Sequence, residues 1–295
     1  MLREKTGARE AGGRQDAKEY GTMKNKKLLY GIVAVLAVAA IVIAVVLLTR
    51  PAPKKEETVF KMGIDAEYPP FSYMDEKGAY VGFDVEMCKA VCDLNGWKME
   101  IVPINWDTKL ISLDNKEHDC VWSGMTILDS MKEAGYVLSY AYFDNTQVVL
   151  TKEGSGIDKL ADLADKKVAV QLGTSGQALL EGDQKELSAT FKGGAAVTME
   201  NFNICGTELD AGGVDAVVID LPVAKALSEK FKGFRILEEQ LGSEQYGICF
   251  RKGDDELRKK VEEAYTKLVK DGTYKKLAEK YGLQEASLCL LAAAN

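Results

Sequence analysis

The longest apolar run in the chain is Leu28–Leu48 (LLYGIVAVLAVAAIVIAVVLL), and it holds no charged residue. As a helix it would span about 30 Å, the thickness of the hydrocarbon core of a bilayer. Lys24, Lys26 and Lys27 precede it, as in the basic n-region of an export signal. The run is longer than a usual signal core, no A-x-A pattern follows it, and no cysteine stands after it to carry a lipid. An uncleaved anchor over 28–49 is therefore expected in preference to a removed signal peptide. Arg50, Lys54 and Lys55 balance the lysines on the other side, so charge bias does not set the orientation. Residues 1–27 read as a polar tail, within which Met23-Lys24-Asn25-Lys26-Lys27 looks like a natural start, and 50–58 (RPAPKKEET) as a linker.

From Val59 the pattern changes to short apolar stretches alternating with helical periodicity, the sign of an α/β domain on mostly parallel sheet. Val59–Ile64, Met99–Ile104 and Asp119–Trp122 read as strands, and Phe83–Leu94 and Asp107–Leu113 as helices. Thr146–Thr151 runs apolar into a turn at Gly154-Ser155, after which the cycle restarts. Ile157–Ala164 is expected to be helical, Lys167–Gln171 a strand, Ser175–Leu180 the opening of a helix, and Val214–Ile219 a further strand. A helix from Pro222 to Phe231, a strand at Tyr246–Arg251, and helices at Asp255–Val269 and Tyr274–Tyr281 follow. Two α/β units with a C-terminal return imply two lobes. Residues 59–145 form the first part of lobe 1, 146–240 lobe 2, and 241–295 the return to lobe 1 with a C-terminal tail. A cleft between such lobes is the expected place for a small ligand.

Composition narrows the function classes. The 46% hydrophobic and 28% charged content is that of a globular protein, and a net charge of −7 argues against a nucleic-acid partner. Six cysteines are scattered without a C-x-x-C pair; Cys88 and Cys92 share a helix face and read as buried small hydrophobes rather than a disulfide. The single histidine, His118, has no ligand cluster around it and reads as an exposed loop residue, so neither a metal nor another cofactor is expected. Trp122 and Trp97 are expected in the core.

Five segments carry more than periodicity. They are Gly63–Tyr73 (GIDAEYPPFSY) with Val81–Val85; Cys120–Ile127 (CVWSGMTI); Val168–Gly176 (VAVQLGTSG); Gly213–Asp220 (GVDAVVID); and Tyr246–Gly253 (YGICFRKG) with Asp271–Tyr274. In this order and spacing, over Val59–Gly282, the chain resembles the amino-acid family of bacterial solute-binding proteins, the receptor components of ABC importers. The resemblance implies an α/β, two-lobed periplasmic-binding-protein fold of type II, with two lobe crossovers, here preceded by one N-terminal transmembrane helix. It implies an amino acid as ligand, ABC permease subunits as partners, and a binding domain on the outer face of the cytoplasmic membrane.

The chemistry of such a ligand points to particular residues. An ammonium withdrawn from water needs a carboxylate, and Asp220 ends the strand Val214–Ile219; it matches the family position that binds the α-ammonium, though it is also placed to cap the following helix. Gly173, Thr174 and Ser175 lie between a strand and a helix, able to serve a carboxylate, an ordinary N-cap, or both. Ser123, Gly124 and Thr126 follow another strand, in a stretch that touches both main-chain charges of the ligand in the family. Tyr68 and Trp106 match aromatic walls of the cleft, Phe71 is equally a wall or core residue, and Asp65 either contacts the ligand or organises the Tyr68-Pro69-Pro70 turn.

One departure stands out. The family places an arginine a few residues after the Ser-Gly-Met-Thr stretch, to fork onto the ligand carboxylate, whereas Thr126–Glu133 reads TILDSMKE. Counting forward from Thr126 puts Met131 at that site, and counting backward from Ser139 and Tyr142 puts Lys132 there. Lysine keeps the charge without the planar fork; methionine removes it. This departure motivates a second reading, a sensing or scaffolding ectodomain with an altered pocket; a third, independent of it, is a dehydratase-type enzyme on the same fold using Asp65 or Glu67 for proton transfer.

Overall fold

The computed structural model describes residues 29–46 and 58–290. The polar tail, linker residues 50–57, the ends of the apolar run and the last five residues of the C-terminal tail lie outside the described residues. The chain divides into two units, Met1–Glu56 and Glu57–Asn295. In the first, Leu29–Val46 forms one helix, α1, of mean hydropathy 3.0. It is long and apolar enough to cross a membrane.

The second unit opens with β1 (Val59–Ile64), then a small antiparallel sheet of β2 (Glu67–Tyr68), β3 (Ser72–Met74) and β4 (Tyr80–Val81). Next come α2 (Phe83–Asn95), β5 (Lys98–Pro103), α3 (Lys109–Asp114), β6 (Cys120–Thr126), α4 (Asp129–Glu133) and β7 (Val137–Leu138). A long strand, β8 (Phe143–Lys152), leads to β9 (Val168–Gln171), α5 (Ser175–Glu181), α6 (Lys185–Ser188), β10 (Val197–Met199) and α7 (Phe202–Ala211). Then follow β11 (Ala216–Asp220), α8 (Leu221–Lys230), β12 (Phe234–Ile236), β13 (Gly242–Phe250), α9 (Asp255–Lys270) and α10 (Thr273–Lys280).

The main sheet runs β10-β9-β11-β8-β13-β6-β1-β5. Within each lobe the central pairings are parallel: β1 with β5 and β6, and β9 with β10 and β11. The two long strands run antiparallel to their neighbours and join the halves. β8 pairs with β13 through Phe143–Gln147 and with β11 through Gln147–Thr151, while β13 continues past Tyr246 to pair with β6. The chain therefore passes between lobes twice, once on each of these strands. The polar stretches Asp144–Gln147 of β8 and Ser243–Gln245 of β13 pair with each other, which puts polar side chains where the lobes meet.

The lobe 1 core is aromatic. Phe71 packs against Phe83, Phe143 and Tyr246 with ring centroids 5.2–6.3 Å apart, mostly edge-to-face, and Trp122 is fully buried beside Tyr142 and Tyr265. Phe71 is thus core, and Trp97 stacks on Phe60 at its margin. Cys88, Cys92 and Cys120 are buried free thiols.

Three local expectations change. His118 is fully buried, its Nδ1 3.0 Å from the Cys120 carbonyl and its Nε2 2.9 Å from Ser112 Oγ. It joins the end of α3 to β6, a pairing across a turn that periodicity does not reveal. Ile157–Ala164 reduces to a single 3₁₀ turn at Leu160–Leu163, because the Asp162 carboxylate accepts from the amides of Asp158 and Lys159 and closes the segment locally. α7 was not anticipated: Gly206 interrupts its pattern, yet it lets the helix sit close to Leu227 and Phe231 of the α8 region.

Candidate ligand-binding site

β11 is buried along its whole length and ends at Asp220, where Leu221-Pro222 opens α8. Proline in a first turn gives up no hydrogen bond, so strand passes to helix with no intervening loop. Asp220 occupies the N-cap position, but its carboxylate makes no cap bond. Its Oδ1 accepts instead from Asn145 Nδ2 at 2.6 Å, Gln147 Nε2 at 2.8 Å and Tyr246 OH at 2.7 Å. The Tyr68 hydroxyl lies 2.8 Å from that of Tyr246. The two amides also donate to Glu244 Oε1, at 2.7 and 3.1 Å. Burial, reinforced by the nearby Glu244 charge, pushes the Asp220 carboxyl up to about 8. A carboxylate in this setting gains most from a partner that brings positive charge.

The opposite wall belongs to lobe 1. Asp65 Oδ1 accepts from the Glu67 amide at 2.9 Å, which orders the turn, while Oδ2 accepts from Gln171 Nε2 at 2.8 Å across the cleft. Burial raises its pKa, with the Gln171 bond opposing. Ser123 Oγ accepts from the Asp65 amide at 3.1 Å and lies 2.5 Å from Ser72 Oγ. It braces the strand ends against each other. Gly124 has φ +56°, and a Cβ there would lie 2.4 Å from Tyr68 Cε1. Its N–H donates to Asp84 Oδ2 at 2.7 Å. Thr126 Oγ1 donates to Ser175 Oγ at 3.2 Å, again across the lobes.

On the lobe 2 side, Thr174 is the N-cap of α5, accepting from the Gln177 amide at 3.3 Å and donating to the Gln171 carbonyl at 2.7 Å. Ser175 Oγ also accepts from Gln147 Nε2 at 3.3 Å. Gly173 presses against Asp107, and its carbonyl accepts from Lys109 Nζ at 2.6 Å. Lys109 stands 4.7 Å from the centre of the Trp106 ring, and burial lowers its pKa to about 8. The lobes are closed on each other at these contacts. A cavity of about 510 Å³ remains beside the crossing strands, lined among others by Thr126, Asp129, Gln147, Ser175, Asp183 and Glu244.

Residues 60–284 match the profile of the bacterial extracellular solute-binding proteins, family 3. The chain belongs to this family. It is 34% identical over 235 residues to a probable histidine-binding protein of Neisseria gonorrhoeae, covering 77% of this chain and 84% of that one. Identity to the L-cystine-binding protein TcyJ of Escherichia coli is 31%, with the same coverages. Among solved structures, a Streptococcus pneumoniae ABC uptake transporter substrate-binding protein with bound histidine superposes with TM-score 0.73 at 29% identity, over 76% of this chain and 92% of that one. The ancestral amino acid-binding protein AncCDT-1, a precursor of cyclohexadienyl dehydratase, does so with TM-score 0.68 at 36% identity, over 76% and 95%. The fold is the two-lobed periplasmic-binding-protein type, and the binding domain of this solute-binding protein is extracytoplasmic.

Most of the residues singled out from the sequence gather at the lobe boundary: Asp65, Tyr68, Ser123, Gly124, Thr126, Gly173, Thr174, Ser175 and Asp220, with Trp106 at its rim. Phe71 lies behind them in the core. Lys132 does not join them; it is exposed on α4 and pairs with Asp129 at 2.8 Å, while Met131 is buried under the same helix beside Leu113, Val121 and Met125. Neither alignment thus brings a cation into the cleft of this solute-binding protein. Asn145, Gln147, Gln171, Glu244 and Tyr246 were missed as site residues. The hydrophobic-to-polar break within each crossing strand hints at Asn145, Gln147 and Glu244, but Gln171 lies on β9 and carries no such signal.

Proposed function

We propose that this protein captures an amino acid between its lobes and presents it to the membrane-embedded permease of an ABC importer. The observation that carries the reading is the Asp220 carboxylate, turned away from the helix it could cap and into the cleft. An ammonium there would meet Asp220 together with the hydroxyls of Tyr68 and Tyr246 and the carboxamide oxygens of Asn145 and Gln147, which have no partner among the described residues. Thr126 and Ser175 offer hydroxyls to the ligand carboxylate. Binding would favour the closed arrangement through contacts made to both lobes at once. No bond-making step is required, and the names of the relatives, histidine- and cystine-binding proteins, support an amino acid as ligand. α1 serves in this reading as the tether that keeps the receptor near its permease. Calorimetry of the full chain in detergent against the common amino acids tests it. Saturable binding of at least one is expected, with prephenate-like acids recovered unchanged; binding of none would overturn the reading.

A further inference from the structure

Two carboxylates share one pair of amides at the hinge end of the cleft. Asn145 Nδ2 and Gln147 Nε2 each donate both to Asp220 Oδ1 and to Glu244 Oε1, at 2.6–3.1 Å. The register explains the meeting: in the β8–β13 ladder Glu244 stands opposite Asn145, and Gly242 opposite Gln147. Neither carboxylate has an ion-pair partner among the described residues. The cavity beside them is lined by Asp129, Asp183 and Glu244 and by no lysine or arginine. Independently of this acidity, Asn145 Oδ1 and Gln147 Oε1 are unpartnered acceptors on side chains only 3% and 2% exposed. Bare acceptors beside paired carboxylates are the complement of a multivalent cationic donor, an ammonium or a guanidinium. Asp65, at the lobe 1 wall, adds a third carboxyl, buried like Asp220 and held only by neutral donors.

Charge balance then constrains the ligand. A zwitterion brings no net charge to this cleft, and its carboxylate finds no cation where the family carries an arginine, since Lys132 faces outward. We infer that the cleft selects ligands of net positive charge, and that Glu244 is the residue imposing this at the hinge end. The inference rests on the amino-acid reading for its ligand class: an amino acid with a cationic side chain.

The test compares L-arginine with L-citrulline, its neutral isostere, by calorimetry on the full chain in detergent, with L-lysine, L-glutamine, agmatine and cadaverine as further probes. Arginine is expected to bind about ten- to hundredfold more tightly than citrulline, the value of one charge-assisted contact. Glu244→Gln should shrink that ratio about tenfold. The wild-type comparison needs no variant, so a poorly folding Glu244→Gln protein does not remove the test. Equal affinity for arginine and citrulline, or a ratio untouched by Glu244→Gln, would overturn the inference while leaving the amino-acid reading in place. Binding of agmatine and cadaverine but of no amino acid would keep the charge selection and overturn that reading. No binding of any probe would overturn the inference, and the amino-acid reading falls with it only if none of the common amino acids binds either.

Discussion

Gly124 offers a way to perturb the site through geometry alone. Its φ of +56° is left-handed, and an added Cβ would sit 2.4 Å from Tyr68 Cε1, 3.1 Å from Tyr68 Cζ and 3.2 Å from Tyr246 Cε2. Gly124→Ala therefore carries two costs: about 1–2 kcal/mol for a side chain in the left-handed region, and about 1–3 kcal/mol for overpacking a rigid core. Together these lower stability by about 2–5 kcal/mol, which in a domain of this size means a Tm lower by about 4–20 °C. Gly154→Ala isolates the first cost, because Gly154 has φ +73° and open space around its Cβ direction. The second cost should vanish when the ring is removed, so a cycle of Gly124→Ala with Tyr68→Ala should give a coupling of about 1–3 kcal/mol. Pushing the Tyr68 ring aside also breaks its hydroxyl contact with Tyr246, so ligand affinity should fall at least about tenfold. Thermal unfolding and calorimetry on the five proteins (wild type, the three single variants and the double variant) read both effects. The reasoning is refuted if Gly124→Ala is no worse than Gly154→Ala, or if the cycle shows no coupling.

Asp220→Asn should lower amino-acid affinity about ten- to hundredfold, and should raise the Tm of the unliganded protein above about pH 8, where the carboxyl is charged and faces Glu244; unchanged affinity would show that the ammonium binds elsewhere. Burial raises the carboxyls of Asp84 to about 7 and of Asp220 to about 8, above their ordinary 3.8. The native state then holds protons that the unfolded chain has released, so unliganded stability should fall as pH rises from about 4 to about 8; a flat or rising Tm over that window, by scanning calorimetry, contradicts it. Lys132→Ala should change ligand affinity by less than about twofold, as expected of an exposed ion pair, and a larger loss would mean that Lys132 reaches the ligand.

The fold was legible where chemistry is local. Apolar runs of strand length, the helical face of Val85, Cys88, Val91 and Cys92, and ordered motifs ending in Asp220 all follow from neighbours in sequence. What escaped depends on partners that strand or helix periodicity does not bring together. Glu244 meets Asn145 only through the antiparallel register of the crossing strands, and His118 is buried only because α3 folds back over it. Along the chain, Ser243-Glu244-Gln245 is a polar triplet suited to a loop, and Asn145 stands just outside the apolar run Thr146–Thr151.

The arginine site shows why one inserted residue matters so much. A helix turns about 100° per residue, so Met131 and Lys132 cannot face the same way. α4 resolves the choice by burying the methionine against Leu113, Val121 and Met125 and leaving the lysine to water. The cleft consequently lacks a cation at the place where the family pattern calls for one, and it carries a carboxylate, Glu244, nearby. These two features act in the same direction on the field inside the cleft. A ligand that needed the arginine would be repelled by Glu244 as well, whereas a cationic ligand gains from both. The altered motif is therefore better explained as a shift in which amino acid is held than as a pocket that has stopped binding.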